Sequence, residues 1–464
     1  MYTWIVAVGG VSAFAMAWGI GANDLANAFG TAYGAGVLTL KQIVLVASVC
    51  EFGGALLLGR EVTQTIGSSV VNVAAFSTAP YVFMYGMLCA LVASTSWVAA
   101  ATYWELPVST THSIIGGVIG FGMTYAGPSA ITWFAPKDEF PYMKGIVPIV
   151  VSWFTSPILA MLASMAVFWA TRTVILRHEQ SLERAYKLLP GIVAFTFWAN
   201  SFFVIAKGAK TVINWPVGQV AWIATCIGGG AGLLSWVSMP LLRRRVDSDY
   251  SMALEGGQTR IVAVAPKTDS TGNTVAPETD VMDAIHTGTE VFDLKTERCF
   301  NYVQAFTSMC ASFAHGANDV ANSVGPFAAI WSIHQSGQVS STNADVPTWV
   351  IAMGGAGIVV GLSTYGTNIL RVLGVKMTKM TPSRGYAAEL ATAIVVMLAS
   401  SYGLPISTTH CITGAVIGVG LVEGPKQINW KLAAKAFSGW VLTLIVTAFM
   451  TAALFAQGVY APSA

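Results

Sequence analysis

Ten apolar stretches constrain this chain most, because each is long enough to cross the roughly 30 Å hydrocarbon core of a bilayer as a helix. They run approximately over residues 4–30, 40–59, 80–103, 146–170, 188–206, 216–240, 300–330, 348–370, 385–402 and 434–456. Two shorter stretches, about 107–123 and 405–420, begin at proline and are rich in glycine, which predicts broken helices that cross or re-enter. Counted as crossings, the total is twelve. Composition agrees, since 10% of the residues are charged and 54% hydrophobic, whereas soluble domains carry about 25% charged residues. The 24 basic and 22 acidic residues form no concentrated basic stripe, which speaks against a nucleic-acid partner. The six cysteines stand singly, so neither a disulfide framework nor a thiolate metal site is expected. The opening MYTWIVAVGG lacks a basic leader region and reads as a first span rather than a cleaved signal.

Basic residues orient the spans. Arg172, Arg177, Arg184 and Lys187 form one short-loop group, Arg243 to Arg245 a second, and Arg371, Lys376, Lys379 and Arg384 a third. Twelve crossings place all three on one side, which the excess of Lys and Arg marks as cytoplasmic. Both termini are then extracellular, with the plasma membrane as the expected host. Residues 1–240 form an N-terminal membrane portion, 241–298 a polar cytoplasmic linker, and 299–464 a C-terminal membrane portion. The linker is expected to be mobile, with VFDLKTERCF forming a short interfacial helix at its end.

Two motifs occur twice in the same order. Gly21 to Gly30 reads GANDLANAFG and Gly316 to Gly325 reads GANDVANSVG, while Leu106 to His112 reads LPVSTTH and Leu404 to His410 reads LPISTTH. The offsets are 295 and 298 residues, as duplication followed by small insertions would leave. The crossing count puts the two copies in opposite directions. The expected fold is therefore an all-α polytopic membrane protein with two inverted-topology repeats and broken or proline-led helices.

In the first motif, helical spacing gathers Asn23, Asp24 and Asn27 on one face, and likewise Asn318, Asp319 and Asn322. A carboxylate flanked by amides offers oxygen ligands to a hard cation. In the second, Ser109, Thr110 and Thr111, like Ser407, Thr408 and Thr409, follow a proline and mark a helix start. Two such starts at mid-membrane would present free N–H groups and hydroxyls to an oxyanion. His112 and His410 follow directly, with gating or coupling and plain packing both open for them. Glu51 and Glu389 lie about a turn inside otherwise apolar spans, where an unpaired acid must be neutralised or find a cation. His315 precedes only the second GAND copy, which argues against a symmetric role. No Lys or Arg lies in this proposed core, so a bound anion would need cations brought along. That chemistry indicates cation-coupled anion symport. A channel, or a hydrolase using Ser109 with His112 or Ser407 with His410, fits the duplicated constellation less well.

Together the two GAND motifs, LPVSTTH, LPISTTH and the two intramembrane acids resemble the PiT family of inorganic phosphate transporters, over roughly residues 1–240 and 300–460. The resemblance implies inverted repeats, a homodimer of independently transporting protomers, and phosphate uptake coupled to Na⁺ or to H⁺; the expected mechanism is alternating access, and no enzymatic activity is expected. Another tetrahedral oxyanion such as sulfate is the alternative substrate. By the family pattern, Asp24, Asn27, Asp319, Asn322 and the Ser–Thr–Thr hydroxyls at 109–111 and 407–409 look like substrate-site groups. Asn23, Asp24, Asn318, Asp319, Glu51 and Glu389 look like cation-site groups.

Overall fold

The structure of the chain, a computed structural model, describes residues 2–461 apart from 69, 137, 139–141, 209–214, 256–287, 340–345 and 371–375. Among the described residues, thirteen α-helices carry the architecture, and strand pairing is confined to a small hairpin and one isolated bridge. The first series is α1 (Thr3–Gly34), α2 (Leu40–Ser68), α3 (Pro80–Tyr103), α4 (Thr110–Ala126) and α5 (Ile146–Thr171). Next come α6 (Ser181–Phe203), α7 (Val217–Val237) and α8 (Met239–Glu255). The last series is α9 (Leu294–Ser336), α10 (Thr348–Thr364), α11 (Pro382–Ser401), α12 (Thr408–Glu423) and α13 (Trp430–Tyr460). Every predicted span falls on one of these helices. Among the described residues, seven segments are both long and apolar enough to cross a membrane, and α10 and α12 are shorter apolar helices. Val11, Leu45, Val49, Leu234 and Phe449 are exposed, as a lipid-facing surface requires.

The two motif-bearing helices pack on each other's followers: α1 lies against α10, and α9 against α2. Lipid tails offer helices little hydrophobic reason to associate, so close backbone approach carries the contact. The leading glycine of each GAND motif makes that approach. A Cβ at Gly21 would collide with the Ile358 carbonyl, and one at Gly316 with the Glu51 carbonyl. The same exchange recurs one layer out, where α4 packs on α13 and α12 on α5. The two halves of the sequence are thus interleaved rather than set side by side.

Three expectations about the polar ends differ from the structure. Arg184 and Lys187 lie on the first turns of α6 instead of in a loop. Arg243 to Arg245 lie within α8, which residues 241–298 read as linker did not anticipate. Tertiary contacts hold this helix: Val246 is buried, Arg243 sits 4.6 Å over the Tyr186 ring and 3.3 Å from Glu183, and Lys295 bonds Asp247 at 2.8 Å. The expected short helix in VFDLKTERCF is the opening of the 43-residue α9, capped by Asp293, whose Oδ2 accepts from Thr296 N at 2.8 Å. Residues 256–287 and Arg371, also part of those readings, lie outside the described residues.

Candidate functional site

Helices α4 and α12 begin inside the bundle, and the sequence dictates where. Ser109 is extended (φ −90°, ψ 114°) and its Oγ accepts from His112 N at 3.2 Å; Ser407 (φ −88°, ψ 112°) does the same for His410 N at 3.3 Å. Each serine thereby satisfies one first-turn donor of its own helix. The earlier N–H groups, those of Thr110 and Thr111 and of Thr408 and Thr409, have no acceptor within their own helix.

The GAND helices meet these starts twice over. Thr110 Oγ1 donates to Asp24 Oδ2 at 3.0 Å, and Thr408 Oγ1 to Asp319 Oδ2 at 2.7 Å, each within its own half. The asparagines cross between halves: Asn27 Nδ2 reaches Thr408 and Thr409 at 3.2 and 2.9 Å, and Asn322 Nδ2 reaches Thr110 and Thr111 at 3.2 and 3.1 Å. Asn27 also donates to Asp24 Oδ1 at 3.0 Å. The predicted residues Asp24, Asn27, Asp319, Asn322 and both threonine pairs are therefore one buried cluster.

Asn23 and Asn318 hold the loops before the helix starts. Asn23 donates to Thr102 Oγ1 and the Leu106 carbonyl and accepts from Val108 N at 3.1 Å; Asn318 donates to the Ile406 carbonyl at 2.8 Å and to Asp319 at 2.6 Å. Each amide oxygen has two lone pairs, so these contacts leave it acceptor capacity. Pro326 adds a further acceptor, because its missing N–H leaves the Asn322 carbonyl without its helical donor.

The two glutamates occupy different surroundings. Glu51 bonds Ser312 at 2.9 Å and His315 Nδ1 at 2.7 Å, and His315 Nε2 lies 2.8 Å from Asp319 Oδ2. Ligand atoms of Asp24, His315 and Asp319 lie within 4.8 Å of one another. Glu389 accepts from Thr31, from Gln304 Nε2 at 3.1 Å and from Thr307 Oγ1 at 2.7 Å. Sequence reasoning missed this second group, and it set His315 aside on grounds of symmetry. The available signals were spacing alone: Thr31 lies two turns beyond Asp24, and His315 one turn before Asp319.

His112 and His410 meet each other behind the helix starts, with ring centroids 4.5 Å apart. His112 Nδ1 contacts the Trp440 carbonyl and His410 Nδ1 the Trp153 carbonyl, at 3.3 and 3.2 Å. The rings are thus parts of the seam between halves. The partners of Asp24, Asp319, Glu51 and Glu389 are hydroxyls, amides and His315.

A sequence profile of the phosphate transporter family matches residues 20–451. The chain is 30% identical to the phosphate-repressible phosphate permease of Neurospora crassa, over 99% of this chain and 98% of that protein. It is 34% identical to the chloroplastic inorganic phosphate transporter 2-1 of Arabidopsis thaliana, over 94% of this chain and 69% of that protein. Among solved structures it resembles a sodium-dependent phosphate transporter, with a TM-score of 0.79 at 30% identity, covering 97% of this chain and 98% of that one. The chain belongs to the phosphate transporter family, and is an integral membrane transporter rather than an enzyme.

Proposed function

We propose that the chain is a secondary symporter that carries inorganic phosphate together with Na⁺ by alternating access. The observation that carries this reading is the crossed pairing in which Asn27 and Asn322 each reach the threonine pair of the opposite half. Two helix starts converge there, and their free N–H groups, with the hydroxyls of Thr110, Thr111, Thr408 and Thr409, suit a tetrahedral oxyanion. Ser109 and Ser407 act by fixing those starts. Asp24 and Asp319, beside them, would repel an unaccompanied anion, and hard oxygen ligands favour Na⁺ as the companion. Asn23, Asn318, Glu51 and Glu389 complete the candidate cation groups, while His112 and His410 lie where the halves must shift during gating. The sodium-dependent structural relative supports Na⁺ over H⁺.

The topology in this reading is twelve crossings in two inverted repeats, with both termini outside and the plasma membrane as host. In its support, all three basic groups reach one end of the bundle: Arg172 and Arg384 both bond Glu290, and Arg243 bonds Glu183 at the start of α6. Two such protomers form a homodimer in this proposal. Uptake of radiolabelled phosphate into proteoliposomes tests the function. Saturable uptake driven by an inward Na⁺ gradient is expected; uptake driven by H⁺ alone changes the coupling ion, and sulfate uptake without phosphate uptake changes the substrate.

A further inference from the structure

The basic end of the bundle contains a second anion-shaped arrangement, far in sequence from either motif. The segment 288–293, which leads into α9, lies across the ends of α5, α11 and α12. Arg172 contacts Glu290 Oε2 through Nε at 2.9 Å and a terminal nitrogen at 2.8 Å. Arg177 contacts it through Nε, 2.9 Å from Oε1, and a terminal nitrogen, 3.0 Å from Oε2. Arg384 donates to the Glu290 carbonyl at 2.7 Å and to the Glu423 carboxylate. Gln427 fastens the other end of the segment through the Gly288 carbonyl at 3.0 Å. Phe292 and Phe168 both pack on the Arg384 guanidinium, at 5.2 and 5.6 Å.

Two guanidinium forks around one carboxylate is the geometry by which proteins hold phosphate as well as carboxylate. Here the anion is supplied by the chain itself. Arg172, Arg177 and Arg384 face Glu290 and Glu423, an excess of one positive charge. Withdrawing Glu290 leaves an excess of two, which matches a phosphate dianion. Arg384 is fully buried and its Nε has no hydrogen-bond partner, so the site retains an unused donor.

We propose that Glu290 occupies an oxyanion site on the basic face, and that a phosphate group from solution or from a lipid headgroup displaces it. A tethered competitor acts at an effective concentration on the order of millimolar, so displacement is expected as phosphate reaches that range. Glu290 links Arg172 of the first half to Arg384 of the second, so its release removes one tie between the halves at this end and leaves the bond from Arg172 to the Val422 carbonyl. The site is separate from the buried motif residues and does not depend on which ion drives transport.

Hydrogen–deuterium exchange of the full-length protein in neutral-lipid nanodiscs, in potassium buffer without sodium, tests this. Inorganic phosphate should raise exchange of the 288–293 amides several-fold and saturably, also in an Asp24→Asn/Asp319→Asn protein. Glu290→Gln should show raised exchange without phosphate, and Arg177→Gln should lose the phosphate response. Equal opening by anionic-lipid nanodiscs without phosphate would support the site and name the headgroup as its ligand. The proposal is overturned by the absence of any response to either source while Glu290→Gln opens normally. Loss of the response in the Asp24→Asn/Asp319→Asn protein would also overturn it, as would the same response to potassium chloride at matched ionic strength.

Discussion

Two charged regions of this molecule follow opposite rules. In the interior, Asp24, Asp319, Glu51 and Glu389 are held by hydroxyls, amides and one histidine. At the basic end, Arg172, Arg177 and Arg384 are answered by Glu290 and Glu423. Burying a charge without an opposite charge is costly, whereas a paired and hydrogen-bonded charge can remain. The interior acids are thus held without arginine or lysine among these partners, while the basic end answers most of its charge with its own carboxylates. In the proposed symport the first would hold cation and anion together, and the second would serve as the frame around it.

The largest expected effect probes that contrast directly. Asp24→Asn and Asp319→Asn should each lower sodium-driven phosphate uptake by about 10- to 100-fold, the equivalent of the ~1.5–3 kcal/mol that a hydrogen bond to a charged group contributes. Arg172→Gln, at the self-satisfied end, should leave initial uptake close to that of the parent protein. Initial rates in proteoliposomes at matched protein density decide it. A severe loss in Arg172→Gln with near-normal uptake in both aspartate variants would invert the comparison and move the transport site to the wrong region.

A smaller effect sharpens the picture inside the site. Asn27→Ala removes two bonds to the Thr408–Thr409 pair and one to Asp24, and Asn322→Ala two to the Thr110–Thr111 pair. At ~0.5–1.5 kcal/mol per neutral bond, the half-saturating phosphate concentration should rise several-fold in each variant, and more in Asn27→Ala, which also loses its bond to Asp24. A change confined to one of them would mean that the halves contribute unequally despite their crossed geometry.

How much of this was legible beforehand follows from how local each signal is. The helix starts at Thr110 and Thr408 could be read because a serine cap acts within one turn, and each falls where the sequence places it. The spans could be read because lipid demands long apolar helices. The surroundings of Glu389 could not, since Thr31, Gln304 and Thr307 come from two other helices, 82 to 358 residues away in sequence. His315 was set aside because its counterpart in the first repeat is not a histidine, yet its contacts depend on Glu51, which the repeat does not duplicate either. Helix α8 escaped for a similar reason. Its polar sequence gives no membrane signal, and the contacts that hold it, Arg243 on Tyr186 and Asp247 with Lys295, are tertiary.

The smallest expected effect lies at the self-satisfied end and is a matter of pH. Partial burial pushes the Glu290 carboxyl upward, but hydrogen bonds and charge from Arg177 and Arg172 outweigh it and hold the group below its ordinary value of 4.5. A carboxylate with a depressed folded-state pKa stabilises the fold fully above its unfolded value, and that contribution is lost as pH falls through the folded one. Because Glu290 is about a third exposed, solvent screening keeps its share on the order of 1 kcal/mol or less. Thermal unfolding in detergent should therefore show the parent protein slightly more stable than Glu290→Gln at pH 7, with the gap closing below about pH 4.5. A gap that stays constant into acid would assign the contribution to packing of the 288–293 segment rather than to the carboxylate's charge, and the contrast between a frame held by ion pairs and an interior held by hydroxyls and amides would lose one of its two sides.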